Sequence, residues 1–199
     1  MLQPCADTVA GMVELVPGRD CGACNACCVV PLIDSPELIK LSGSPCRNSR
    51  DAGCAVYDAR PDVCRRFFCG WRRMALVPAG WRPDESGVFI TLETAPPQFG
   101  GQPGLNLMLV DNPLKTLRQP WFVDFVAGAV AQRVPLFLGL PGPRGMQAAM
   151  LLLNGAEMDA AAARSRAAVK DILERTLKRL MAHDFVPYAM AYAGADVSS

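Results

Sequence analysis

Residues 21–31 read CGACNACCVVP and residues 54–69 read CAVYDARPDVCRRFFC. These runs hold Cys21, Cys24, Cys27, Cys28, Cys54, Cys64 and Cys69, and Cys46 lies between them. Of nine cysteines only Cys5 stands outside this stretch, and none follows residue 69 in a chain of 199. Thiol chemistry is thus concentrated in one local structure, and the role of those thiols decides how the first third of the chain folds. A thiolate is a soft, negatively charged donor that selects zinc, copper(I) or iron–sulfur clusters over magnesium or calcium. Cys21, Cys24 and Cys27 form C-x-x-C-x-x-C, a spacing that wraps the chain around one cluster with a further ligand supplied from elsewhere.

The remaining spacings leave alternatives open. A ferredoxin run places its next cysteine three residues on and follows it with proline, whereas Cys28 follows Cys27 at once, so a ferredoxin fold is not implied. In extended chain, neighbouring side chains point to opposite sides. Cys27 and Cys28 are therefore expected to serve two centres, or one of them to be a supporting or reactive thiol. Cys64 and Cys69 enclose four residues, a zinc-ligand spacing, and Cys46 and Cys54 enclose seven, which is loose. Eight thiolates suffice for two four-cysteine zinc sites, or for one [4Fe–4S] cubane with four thiols left for another metal. The single histidine, His183, lies far along the chain and reads as a helix-terminal residue, so a local site is all sulfur unless Asp51 or Asp58 joins it.

Charge agrees with a cofactor site. Residues 60–73 carry Arg60, Arg65, Arg66, Arg72 and Arg73 against Asp62, which is +5 − 1 = +4. Four thiolates around a divalent ion or a [4Fe–4S]²⁺ core leave about −2, which nearby guanidinium groups offset while donating hydrogen bonds to sulfur. Arg60 and Arg65 are expected in that supporting role, and Arg72 and Arg73 are left open. The competing reading is a basic surface for an acidic partner or nucleic acid.

The N-terminus lacks a basic start followed by an apolar run, so it does not read as a signal peptide. The most apolar long segment, residues 121–140, contains Asp124, Gln132, Arg133 and Pro135, which argues against a membrane span. The expectation is a cytoplasmic protein whose thiols stay reduced, so metal binding is preferred to a disulfide scaffold. A net charge of +1 gives no general pull towards membrane or nucleic acid. Arg164, Arg166, Lys170, Arg175, Lys178 and Arg179 are diluted by Asp171 and Glu174 and read as a solvated face rather than a nucleic-acid patch. A protein partner remains open.

Fold expectations follow from local signals. Ser35 and Pro36 suit the start of a short helix over Pro36 to Leu41, and Pro61 and Asp62 the start of another running to Phe68, stopped by Gly70. Tyr57, Phe67, Phe68 and Trp71 offer apolar cover for a metal site. Beyond residue 84, Gly87 to Glu93 and Leu105 to Val110 have strand-like composition, and Val134 to Leu140 and Gln147 to Leu153 suggest two more strands. Phe122, Phe125, Val126, Ala129 and Val130 recur at helical spacing within residues 121–133. Met158 to His183 reads as one long helix, with Val169, Ile172, Leu173, Leu177, Leu180 and Met181 on one face. Asp171–Arg175 and Glu174–Lys178 are expected as supporting ion pairs. The fold class is α+β: a small irregular cysteine-rich metal-binding domain over residues 1–84, then an antiparallel α+β domain over residues 85–199 ending in a long helix.

Taken together, Cys21, Cys24, Cys27, Cys28, Cys54, Tyr57, Arg60, Pro61, Cys64, Arg65, Phe67 and Cys69 follow in order the pattern CxxCxxCC and then C-x-x-Y-x-x-R-P-x-x-C-R-x-F-x-C. In this the chain resembles the YkgJ-type cysteine-cluster family, zinc- or iron-chelating domains, with Cys46 fitting the intermediate cysteine. The resemblance covers roughly residues 18–72, and the polar stretch RNSRDAG between Cys46 and Cys54 departs from it. It implies a metal-binding protein holding an iron–sulfur cluster, [4Fe–4S] being favoured, or zinc, in redox or protein-maturation chemistry. A zinc-stabilised protein-interaction module is the second expectation. Flagellin lysine methylases carry a similar cluster, which implies a third, a protein-modifying enzyme, although the chain shows no glycine-rich nucleotide loop.

Overall fold

Proline removes a backbone donor and fixes φ, while glycine admits left-handed φ, and both recur through the cysteine-rich stretch. The computed structural model describes residues 15–51 and 53–190; Cys5 lies outside them. The first half is accordingly built from fragments. Helix α1 spans Ala26–Val29, strands β1 and β2 span Ile33–Ser35 and Leu38–Lys40, and a minimal hairpin joins β3, Ser49–Arg50, to β4, Gly53–Cys54. Helices α2, Asp62–Arg66, and α3, Gly70–Arg73, follow, then α4 over Pro83–Ser86.

Two of the short helices differ from expectation. Residues 36–41 do not form a helix: Ser35 pairs with Leu38 across a hairpin turn that holds Pro36 and Glu37. The Ser35 hydroxyl accepts from the Leu38 N–H at 3.2 Å, which closes the turn. Serine followed by proline suits the first two positions of a β-turn as well as a helix start, and so short a segment gains too little from helical hydrogen bonds to choose the helix. The helix after Pro61 ends at Arg66, and Gly70 opens α3 instead of terminating α2. Gly70 is required for close packing: a Cβ there would lie 2.3 Å from Ile90 Cγ2.

The second half has long elements. Strands β5, Val88–Thr94, and β6, Pro103–Leu109, pair antiparallel with Ile90 opposite Leu107. The chain then runs through α5, Pro113–Leu117, and α6, Pro120–Ala131, before β7, Leu136–Leu140, and β8, Ala149–Leu152. The sheet order is β5-β6-β7-β8. The pairing of β7 with β6 is parallel and the other two are antiparallel, so the sheet is mixed. The helices between β6 and β7 carry the chain back to the starting end, which is what a parallel neighbour needs.

The long C-terminal helix is present but broken once. Helix α7 spans Ala156–Arg164 and α8 spans Arg166–Met181. Between them Ser165 is extended, and its side chain accepts from the Ala168 N–H to cap α8. Glu174 and Arg175 do not form the expected pairs within α8. Glu174 accepts from Arg118 at 2.8 Å and Arg175 pairs with Glu157 of α7, so these charges fasten helices to one another.

Strand alternation gives the sheet two buried faces. Val88, Ile90, Leu105, Leu107, Leu109, Leu136, Leu138 and Leu140 face α6, α7 and α8, meeting Phe122, Val126, Val169, Leu173 and Leu177 in one cluster. Met181, expected on that face, is largely exposed. Trp71, Val77 and Trp81 join the same cluster, with Trp81 against Phe122 and Phe125 at ring-centre distances of 5.7 and 4.5 Å. The opposite face presents Phe89 and Met108, and these receive the cysteine-bearing segment.

Candidate metal centre

The cysteines reach the sheet through a few anchors. Arg19 is buried, and its guanidinium donates to the carbonyls of Trp71, Met74 (3.2 Å) and Val77 (2.6 Å). That straps the approach to the first cysteine onto the loop after the last one. The Trp71 indole N–H donates to the Ala79 carbonyl at 2.8 Å. Cys69 therefore arrives beside Phe89 with its backbone fixed on both sides.

Packing sorts the thiols into two sets. Cys24, Cys27 and Cys69 pack around Ala26, Phe89 and Met108. Cys28 and Cys64 pack instead around Ile33, Leu38 and the buried Cys46. Cys21 belongs with the first set, because the Cys24 N–H donates to its carbonyl at 2.9 Å and it lies in the electrostatic field of Cys27 and Cys69. Cys54 belongs with the second, since its β3 partner Ser49 donates to the Cys46 carbonyl at 2.8 Å and Cys54 acts on Cys64. The hairpin carrying Cys54 reaches the first loop too: a Cβ on Gly53 would lie 3.0 Å from the Gly22 carbonyl oxygen. The vicinal pair Cys27–Cys28 joins the two sets.

That pair sits on α1, not on extended chain, so its side chains diverge by about 100° and not 180°. The two thiols are closely coupled, which holds the proton on Cys27 and makes Cys28 the more acidic of the two. Burial pushes Cys24 up to about 11 and also raises Cys64 and Cys69. Backbone N–H groups of Ala26 and Asp84 at Cys24, and of Trp71 and Arg72 at Cys69, act in the other direction and favour the thiolate.

The cations differ from the sequence reading. Arg60 lies over the Tyr57 ring at 3.7 Å, within electrostatic reach of Cys28 and Cys64. Arg65 is turned to the exposed face of α2, where it pairs with Asp62, as Arg66 does at 3.0 Å. Lys40 was missed. It is buried, and its ammonium donates to the carbonyls of Val29, Pro31, Leu41 and Ser44 at 2.9, 2.5, 3.1 and 3.2 Å, in the field of Cys46, Cys28, Cys27 and Cys64. An alternating strand pattern, with Leu38 and Lys40 facing inward, is the signal that finds it once the hairpin is recognised. Arg72 stands beside Cys69, and its Nε is buried without a hydrogen-bond partner. Arg82 lies near Gly22 and pairs with Asp84 at 2.7 Å.

The apolar cover is uneven. Phe67 stacks on Phe89 at 6.1 Å and Phe68 lies under Arg72 at 5.8 Å, whereas Trp71 is committed to the main core and Tyr57 is exposed. His183 follows α8 and meets Phe185 edge-on. A cleft of about 560 Å³ opens beside α1, bordered by Asn25, Val29, Asp84, Glu85, Asp111 and Lys115.

All eight described cysteines are free thiols. Soft donors at this density suit zinc or an iron–sulfur core, and the orphaned Arg72 donor is of the kind that such sulfur accepts. As they stand, the thiols are neighbours that do not converge: among the described residues no three Cys, His, Asp or Glu side chains are gathered into an ion-holding group. Among the same residues no helix is long and apolar enough to cross a membrane. Comparison with family models, curated proteins and solved structures finds no match for this chain.

Proposed function

We propose that the chain is a cysteine-cluster metal-binding protein that holds an iron–sulfur cluster or zinc and serves redox or protein-maturation chemistry. The carrying observation is that, of eight free thiols, Cys24, Cys27 and Cys69 pack against Phe89 and Met108 of the sheet and Cys28, Cys46 and Cys64 pack around Ile33 and Leu38, with a buried lysine beside the second group. The likeness of Cys21 to Cys69 to the YkgJ-type pattern supports the same reading. Binding has a conformational cost, because the thiols must draw together and lose protons before they can hold a metal. The C-x-x-C-x-x-C run favours [4Fe–4S] over zinc.

The test is anaerobic purification with elemental analysis and a visible spectrum. Iron with matching sulfide and broad visible absorption supports the cluster. Colourless protein with stoichiometric zinc moves the reading to zinc. Protein that takes up neither metal, with all eight thiols reduced, overturns it.

A zinc-stabilised interaction module is the second reading. Strands of two or three residues in the cysteine region favour it, because such fragments lack the regular pairing that makes a small domain stable alone. Under that reading the metal is structural and the protein has no redox activity to lose.

A further inference from the structure

We infer that the eight cysteines make two separate four-thiolate sites, each with its own neighbouring cation: Cys21, Cys24, Cys27 and Cys69 beside the half-buried Arg72, and Cys28, Cys46, Cys54 and Cys64 beside the buried Lys40. The inference rests on the metal-binding reading and adds the division of ligands and the countercharges, which that reading leaves open.

Packing carries the division. Cys24, Cys27 and Cys69 share the cluster of Phe89 and Met108, while Cys28, Cys46 and Cys64 share that of Ile33 and Leu38. Backbone ties add the fourth member to each: Cys24 to Cys21, and the Ser49–Cys54 rung to Cys46. Adjacent residues on a helix point about 100° apart, so Cys27 and Cys28 feed different clusters without bending the chain. A single centre drawing on all eight thiols would have to pull Cys46 and Cys64 out of contact with Leu38, or Cys69 off Phe89.

The cations follow the division, with Arg72 by the first set and Lys40 and Arg60 by the second. A divalent ion with four thiolates carries about −2. Each metal–sulfur bond replaces an S–H, and the proton leaves to buffer. A buried charge of that size needs a partner. Lys40 is 5% exposed and is held by four backbone carbonyls, so it cannot swing away to solvent. It lies in the electrostatic field of Cys46, Cys28, Cys27 and Cys64, three of which belong to the second set. Arg72 lies beside Cys69, with one terminal nitrogen on Asp20 at 3.3 Å and its Nε buried and unpaired. A sulfur drawn together with its set would satisfy that Nε. Lys40 and Arg72 are positioning residues and not ligands.

The test titrates reduced, metal-free full-length protein with Co²⁺, whose visible bands and thiolate charge-transfer absorption report four-sulfur coordination. The wild-type chain should take up about two Co²⁺ with tetrathiolate bands. Cys64→Ser and Cys69→Ser should each retain about one four-sulfur site. Alkylation mapping of Co²⁺-loaded Cys64→Ser should find Cys21, Cys24, Cys27 and Cys69 protected, which also shows that the variant is folded. Lys40→Met should weaken one site by about tenfold or more and leave the other unchanged, with recovery in Lys40→Arg. Arg72→Gln should do the same to the other site. One centre lost on substitution of any of the eight cysteines would overturn the division and leave the metal reading standing. Two centres that are both lost in Cys64→Ser, or both weakened by Lys40→Met, would overturn their independence. No Co²⁺ uptake by eight reduced thiols would sink the metal reading itself.

Discussion

The two halves of this chain are held together by different means. From Val88 to Met181 the elements are long, and one face of the sheet meets three helices in a continuous apolar cluster. Among the described residues from Cys21 to Arg73 no strand exceeds three residues and no helix exceeds five, and the apolar clusters are small ones with three cysteines in each. The difference teaches where stability resides. Burial of leucine and phenylalanine supplies it in the second half. In the first half, backbone carbonyls gathered around Lys40 and Arg19 supply much of what fixes the chain, and the thiols add metal-dependent order if they are loaded.

Core truncation should expose this contrast most strongly. Phe122 is fully buried against Trp81 and the sheet, so Phe122→Ala should cost about 3–5 kcal/mol in urea unfolding, and added metal should not restore it. A loss that metal rescues fully would mean that the sheet half depends on the cysteine half. Next comes the seam between the halves. Gly70→Ala forces a Cβ against Ile90 and should cost about 1–3 kcal/mol, while also weakening metal uptake because Cys69 is displaced. An unchanged urea midpoint would show that α3 is not docked as described.

Smaller effects sharpen the picture. Ser165→Ala removes the cap of α8 and should cost about 1 kcal/mol, with metal uptake unchanged. The smallest effect expected is a pH dependence of the metal-free protein, since the thiols concerned are partly exposed. Cys24 stands at about 11 against an ordinary 9.0, chiefly through burial. A thiol raised in the folded state contributes stability that is fully present below the unfolded value and lost as pH rises through the folded one. Through Cys24 the urea midpoint of the apo protein should therefore fall from about pH 9 towards about pH 11. A midpoint that rises over that window would contradict the burial of Cys24.

Legibility in the sequence followed the same division. The apolar spacing of Phe122, Val126, Ala129 and Val130 and of Val169, Leu173, Leu177 and Leu180 marked the helices, because long elements repeat their signal several times. The break at Ser165 was hidden in an alanine-rich run with high helix propensity on both sides. The parallel β6–β7 pairing was also hidden, since strand composition does not state direction. In the cysteine half each element offers a single turn of signal. Ser35-Pro36 and Gly70 fit two local structures apiece, and tertiary contact with Leu38 and Ile90 decided between them. The eight cysteines were legible as a set, but their division was not, because it depends on packing against Phe89 on one side and Leu38 on the other. Arg65 was placed near the thiols by its position in sequence, and one turn of helix carried it to the exposed face with Asp62.

The central claim is that the thiols of residues 21–69 hold metal on a sheet that does not need it. Amide hydrogen exchange on anaerobically metal-loaded protein, before and after chelation, tests it most directly. The account predicts that chelation speeds exchange in residues 21–69 by orders of magnitude while β5, β6 and α8 stay protected. Exchange that is identical throughout, in protein shown to have carried metal and lost it, would contradict the account.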